Sequence, residues 1–329
     1  MLQKIATFIN TRLIKSCQNP SFIGKVFQAF FSMARSILIK IGDPPCIIEI
    51  RGKSIYIPLS HPLGFNVTQH PHYDGVIERV SKFIRVREGR LIYIDVGANI
   101  GDTILFCSPQ ENDRILGIEA DDIYLGYLKR NVGHIKNVTL LKILCASEDG
   151  QFSGSLRRDQ GTARVVENHQ NHIPTQSLDT ILTRHSEFNS VNFLKVDTDG
   201  YDFQVLKGAK KTILLNKPVV LFECEPNENP HYVRDLLEIW KFFSETGYRS
   251  ALVYDNFGYF YGRIDLNNFS MLKNALFYQL TRTYYYYDVL LMPEEQLQAF
   301  YSSEIDFFVN ENKSDPNRQA AQDALKLDD

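Results

Sequence analysis

Two groups of residues in this chain are spaced for chemistry. Asp95, Gly97, Asn99 and Gly101 fall within the run D-V-G-A-N-I-G, and Glu119 follows eighteen residues after Gly101. Further along, Asp197 with Asp199, and Glu223 with Glu225, form two pairs of acids. Glycines let a ligand approach the main chain, while an acid just before them repels a diphosphate and suits a ligand that carries an ammonium. Clustered carboxylates raise one another's pKa, as a general base needs, or hold a divalent ion through oxygen ligands.

Each group needs a strand end to place it. Leu91 to Val96 shows no clean alternation, as expected of a parallel strand covered on both faces. The helix after Gly101 offers free N–H groups. A second strand, Arg114 to Glu119, ends in a carboxylate that can accept both hydroxyls of a ribose. A dinucleotide fingerprint would read G-x-G-x-x-G. Here Asn99 stands where the middle glycine would, so a pyrophosphate loses its closest approach and an NAD-dependent enzyme ranks low. S-adenosylmethionine, with an amino-acid end and a positive sulfonium, fits better. Helix 122–133 and strand 138–145 continue the alternation, which implies parallel strands joined by right-handed crossovers. Asp121 and Ser147 lie just past strand ends, where ligands of open α/β sheets bind, and are candidates for the adenine side. Strand 192–197 ends at Asp197, the favoured base or metal ligand, with Asp199 and Glu223 beside it as further catalytic candidates. Lys195, mid-strand, is placed to pair with an acid.

D-V-G-A-N-I-G-D-T, together with F-L-K-V-D-T-D-G-Y-D-F-Q-V-L-K-G-A at Phe193 to Ala209, resembles the FkbM-type methyltransferases, over about Ile57 to Glu225. The resemblance implies an α/β, Rossmann-like class I methyltransferase fold with a mostly parallel seven-stranded sheet and an antiparallel last strand. It also implies S-adenosylmethionine as cofactor and O-methylation of a hydroxyl on a sugar, glycan or polysaccharide precursor. The family usually has Asp-x-Glu-Gly where this chain has Asp197-Thr198-Asp199-Gly200, one carbon shorter in reach. No dedicated metal ligand is assigned, and Mg²⁺ stays open as a second use of the acids. Two alternatives stand beside this reading: a metal-dependent glycosyltransferase, and a non-catalytic scaffold at a membrane.

The flanking segments divide the chain. Residues 1–45 form a basic amphipathic helical segment: residues 1–42 hold six basic side chains and no acid. Phe22, Val26, Phe30, Ile37 and Ile41 belong to one wide apolar face at helical spacing. Packing on the catalytic domain or on a second subunit is favoured, against contact with a membrane surface. Residues 46–90 read as a hairpin and helix over the active-site mouth, with His61, His70, His72, Tyr73 and Asp74 offering a base or substrate contacts. Residues 91–295 are the methyltransferase-like core, 296–310 a C-terminal helix and 311–329 a disordered tail. Within 149–176, a hairpin or mobile insertion, Arg157, Arg158 and Arg164 read as a solvated loop or as contacts for an acidic acceptor. The net charge of −3 gives no case for nucleic acid. Five cysteines without a C-x-x-C pair read as reduced thiols in a cytoplasmic protein, peripheral at a membrane at most. No uncharged apolar run reaches ~18 residues, so no membrane span is expected.

Overall fold

The computed structural model describes residues 1–326 except 160, 227, 228, 283, 284 and 313. It opens with a helical hairpin, α1 (Leu2–Cys17) and α2 (Phe22–Gly42), in which the Ser21 side chain caps α2 by accepting the Gly24 N–H. β1 (Pro45–Ile50) and β2 (Lys53–Pro58) pair antiparallel around Arg51-Gly52, both at positive φ. α3 (Leu63–Gln69) and α4 (Gly75–Glu88) lead into β3 (Ile92–Val96). The alternation then runs α5 (Asp102–Phe106), β4 (Arg114–Ile118), α6 (Asp122–Val132) and β5 (Val138–Leu141). β6 (Leu144–Cys145), β7 (Gly150–Asp159) and β8 (Thr162–Gln176) leave the main sheet and form a small sheet of order β6-β8-β7. The strand expected at 138–145 is thus two strands in two sheets, and the expected insertion is a long hairpin.

The second half contains α7 (Leu178–Arg184), β9 (Phe193–Val196), α8 (Asp202–Lys207), α9 (Lys210–Asn216), β10 (Val219–Cys224) and α10 (Tyr232–Glu245). After these come β11 (Ser250–Asp255), β12 (Phe260–Asp265), α11 (Phe269–Leu280), β13 (Tyr287–Leu291), α12 (Glu294–Glu311) and α13 (Asp315–Ala324). Of the strand expected at 284–292, residue 284 lies outside the described residues. The tail expected to be disordered carries α13, which buries none of its residues.

The main sheet has the order β12-β11-β13-β10-β9-β3-β4-β5. β5, β4, β3, β9 and β10 pair in parallel. β13 runs antiparallel between β10 and β11, which is the antiparallel last strand the resemblance implies. The sheet has eight strands where seven were expected, because β12 folds back on β11 and extends the edge. Alternate residues of β3 point to opposite faces: Ile92, Ile94 and Val96 join one core layer, Leu91 and Tyr93 the other. Burial on both faces explains why the β3, β9 and β10 sequences show no polar alternation.

The N-terminal hairpin packs on the catalytic domain along part of its surface. Phe31 of α2 meets Phe8 of α1, and the Arg35 guanidinium donates to the Leu59 and Ser60 carbonyls. The wide apolar face on the rest of α2 is exposed, so packing on the catalytic domain accounts for only a narrow strip of it. By length and composition α2 could also cross a membrane, because its apolar run tolerates the few basic residues that interrupt it.

Candidate active site

The loop after β3 is built by two glycines with different tasks. The Gly97 and Ala98 N–H groups both donate to the Ile118 carbonyl at 3.0 Å, drawing the loop onto the end of β4. Gly97 has φ 80°, and a Cβ there would lie 1.8 Å from the Asp197 carbonyl oxygen. Only glycine allows β9 to end against this loop. Gly101, at φ 83°, faces away from the cavity: a Cβ there would lie 2.7 Å from Leu128 of α6. There it packs against α6 and does not line the cavity. Asp95 lies inside the core as well. It is fully buried, accepts from the Thr103 hydroxyl and from Lys195 at 3.2 Å, and does not line the cavity.

Asn99 and Glu119 line the cavity and are hydrogen-bonded to each other. Asn99 sits in the left-handed region at φ 45°. Its N–H donates to Glu119 at 2.8 Å, and its side-chain amide donates to the Gly161 carbonyl at the tip of the β7–β8 hairpin. The second Glu119 oxygen accepts the Asp121 N–H at 2.7 Å. Burial pushes the Glu119 carboxyl up to about 7, against these two hydrogen bonds. Each oxygen keeps lone pairs for a further donor, and Glu119 lines the cavity. Asp121 does not: it caps α6 through the Ile123 and Tyr124 N–H groups and pairs with Arg158 at 2.7 Å. Ser147 also lies off the cavity, whose wall at this end is made by Ile118, Ile143, Leu144 and Cys145, an apolar slot suited to a flat base.

The cavity, of about 250 Å³, continues past Gly97 to the ends of β9 and β10. Asp197, Asp199 and Glu223 all line it, as expected. Lys195 is buried and bridges Asp95 and Asp197, the latter at 3.0 Å. Burial opposes its charge, but Asp197, Asp95 and Asp74 outweigh that and push its pKa well above the usual lysine value. Carboxylate oxygens of Asp199, Glu223 and Glu225 lie within 4.8 Å of one another. Arg164 pairs with Glu225 at 3.1 Å, while Oε2 of Glu223 is buried without a hydrogen-bond partner among the described residues. Burial, then repulsion from Asp197 and Asp199, drives Glu223 well above the ordinary carboxylate range. Asp199 moves the same way for the same first cause. It caps no helix: α8 starts three residues later, and the buried Asp202 there accepts from Thr198 and from the Glu223 N–H.

Sequence reasoning missed part of the negative lining. Asp102, at the start of α5, lines the cavity, and burial pushes it up to about 6. Asp288, opposite Glu223 in the β10–β13 register, also lines it, as does Tyr286. The signal for Asp288 was an acid inside an otherwise apolar and aromatic strand. Of the lead-in residues, His61, Tyr73 and Asp74 line the cavity, and burial pushes His61 down to about 4, so it is neutral there. His70 instead stacks on Phe257, and His72 packs against Tyr259 and Phe308. Eight acids line the cavity against the two cations Lys195 and Arg164, among the described residues. Such a lining favours a cationic ligand. Beyond Asp199 and Arg164 a second cavity opens past Arg157, Tyr201, His231 and Arg234.

Residues 95–250 match the model of the methyltransferase FkbM domain. No curated protein matches the chain. Among solved structures, the methyltransferase FkbM from Methylobacillus flagellatus KT shares 19% identity over 56% of this chain and 47% of its own, with a TM-score of 0.34. This chain therefore spans about half the length of that protein. Magnesium protoporphyrin IX methyltransferase from Synechocystis PCC 6803, with bound SAM, shares 11% identity over 70% of this chain and 84% of its own, TM-score 0.37. TYW2 from M. jannaschii, in complex with AdoMet, shares 10% identity over 75% and 84%, TM-score 0.40.

Proposed function

We propose that this chain, whose residues 95–250 are an FkbM methyltransferase domain, uses S-adenosylmethionine to methylate a hydroxyl of a sugar, glycan or polysaccharide precursor. The observation that carries the reading is a single cavity that joins the Gly97–Asn99 loop and Glu119 to the carboxylates of Asp197, Asp199 and Glu223. The family match sets the glycosyltransferase alternative aside.

The residues present fit the cofactor. Glu119 has free lone pairs for ribose hydroxyls, Ile118 and Cys145 offer apolar contact for adenine, and the acidic lining suits the positive sulfonium and ammonium. Bound S-adenosylmethionine supplies an electrophilic methyl group. The chain's own task is to align the acceptor and take its proton, and alignment alone contributes several kcal/mol. A carboxyl whose pKa is raised toward or above the working pH is a stronger base once it has lost its own proton. Glu223 has that property and an unpartnered oxygen to receive the proton. Asp197 and Asp199, at the end of the neighbouring strand, border the same space and hold the acceptor. The second cavity, beside Arg157 and Arg234, gives the remainder of a larger acceptor a place to lie.

The short distances among Asp199, Glu223 and Glu225 favour one variation, in which a divalent ion such as Mg²⁺ binds the acceptor oxygen. Turnover that depends on added Mg²⁺ and stops with chelator selects it; turnover unaffected by chelator selects the proton-accepting role. Methyl-labelled S-adenosylmethionine, incubated with sugars, nucleotide sugars, amines and carboxylic acids, tests the whole reading. Label recovered as an alkali-stable methyl ether is expected. Label recovered on nitrogen or as an ester would overturn the acceptor class.

A further inference from the structure

We infer that the α1–α2 hairpin is a bilayer-docking surface, which seats its exposed apolar ridge in an anionic membrane and holds the cavity beside it. Phe22, Val26, Phe30, Met33, Ile37 and Ile41 follow one another at three- and four-residue spacing along α2. Each is at least half exposed, Phe22 at 81% and Ile41 at 72%. Leu2, Ile5 and Phe8 of α1 are exposed as well. Contiguous apolar surface of this kind marks an interaction site.

Charge decides the occupant. Lys4, Arg12, Lys15, Lys25 and Lys40 are exposed around the ridge, and the first 42 residues contain no acid. Anionic headgroups attract such a segment electrostatically. A second copy of the chain would cover the same apolar side chains, but would bring two all-basic segments together with no acid in either to pair them. A basic face beside a wide apolar one is the pattern of a helix that lies in the plane of the interface.

The tethers at both ends show why α2 lies flat, despite having the length to cross. Its start is joined through Asn19–Ser21 to α1, which is fixed to the body where Thr7 accepts the Ile47 N–H at 3.0 Å. Its end is fixed where Asp43 accepts from the Ser60 N–H and hydroxyl at 2.8 and 2.7 Å. Both ends therefore stay on one side of a bilayer. The second tether adjoins the cavity, because Arg35 holds the Leu59 and Ser60 carbonyls immediately before His61, Pro62 and Leu63, which form part of the cavity wall. A membrane that takes the ridge is thus connected to the active-site wall through a few hydrogen-bonded residues.

Flotation of the purified full chain tests the inference, using phosphatidylcholine vesicles with and without phosphatidylglycerol. The wild type is expected to rise with the anionic vesicles and much less with the neutral ones. Phe30→Glu with Ile37→Glu, both at exposed positions, is expected to lose flotation while binding S-adenosylhomocysteine as the wild type does. That titration separates failure here from failure of the cofactor assignment. Wild-type protein that stays at the bottom with anionic vesicles overturns the inference. So does equal flotation of the double variant, or a wild-type dimer that the double variant dissolves while vesicles capture neither.

Discussion

The Lys195 ammonium lies 3.0 Å from the Asp197 carboxylate, so the strand that delivers an acid to the cavity carries its counter-charge two residues earlier. The same ammonium reaches Asp95 at 3.2 Å inside the core. Lys195→Met leaves Asp95 a fully buried charge without a cation. Breaking a buried pair in this way costs about 3–5 kcal/mol, and urea unfolding should show a loss of that size. A loss near zero would mean that the Lys195–Asp95 pair does not help hold the fold together.

Gly97→Ala places a methyl group where the Asp197 carbonyl already sits, at a φ of 80° that alanine resists. Backbone strain alone costs about 1–3 kcal/mol, and the clash must push β9 away from the loop. The expected result is a folded protein of lower melting temperature that no longer binds S-adenosylhomocysteine. Gly101→Ala strains α5 against α6, so it should lower stability with a smaller effect on affinity per degree of melting temperature lost.

Glu119→Gln keeps the shape but leaves one acceptor oxygen where two main-chain N–H groups and two ribose hydroxyls compete. Loss of a hydrogen bond to a charged group is worth about 1.5–3 kcal/mol, or roughly tenfold to 150-fold in affinity for S-adenosylhomocysteine. Because burial lifts this carboxyl to about 7, wild-type affinity should also rise as pH increases through that value. The glutamine variant should show a flatter profile.

Burial lifts Asp74 and Asp202 to about 7 and Asp102 to about 6, with repulsion from neighbouring acids as a lesser cause. The folded state therefore binds more protons than the unfolded chain between the ordinary carboxylate pKa of about 4 and about 7. These groups favour the fold fully at the acid end of that window, and their contribution is lost as pH rises through it. The melting temperature of the free protein should fall from about pH 5 to about pH 7 on their account. A rise over that interval would show that ion pairing outweighs desolvation.

Glu223→Gln should lower turnover by roughly 10²–10⁴ if Glu223 accepts the acceptor's proton, with S-adenosylhomocysteine affinity unchanged. In the wild type, rate should climb with pH well above the ordinary carboxylate range, because the carboxyl must lose its proton before it can act. An unchanged kcat in Glu223→Gln would move the role to Asp197 or Asp199.

The sheet was legible because its central strands, β3, β9 and β10, are mostly apolar and carry acids at or just past their carboxyl ends, a pattern that local sequence preserves. Gly97, Asn99 and Glu119 could be placed at strand ends from spacing, and the Asp197–Glu223 group from strand ends together with the resemblance. Asp95 and Gly101 could not be sorted from them. Both stand in the same motif, but whether a side chain meets a ligand or the neighbouring Lys195 and Leu128 depends on partners distant in sequence. Asp121 and Ser147 show the same limit: a strand end says which edge of the sheet a residue is on, not whether its side chain lines the cavity, and Asp121 caps α6. Asp288 was hidden because only the antiparallel insertion of β13 beside β10 brings it to the cavity. The exposed ridge of α2 shows the opposite limit, since helical periodicity reveals an apolar face without saying what covers it.

The most direct test is calorimetric titration of S-adenosylhomocysteine into the wild type, Gly97→Ala and Glu119→Gln. Micromolar binding to the wild type, abolished in the first variant and weakened in the second, is the predicted result. A wild type that binds nothing, or binds as tightly after either substitution, would contradict the placement of the cofactor between Gly97 and Glu119.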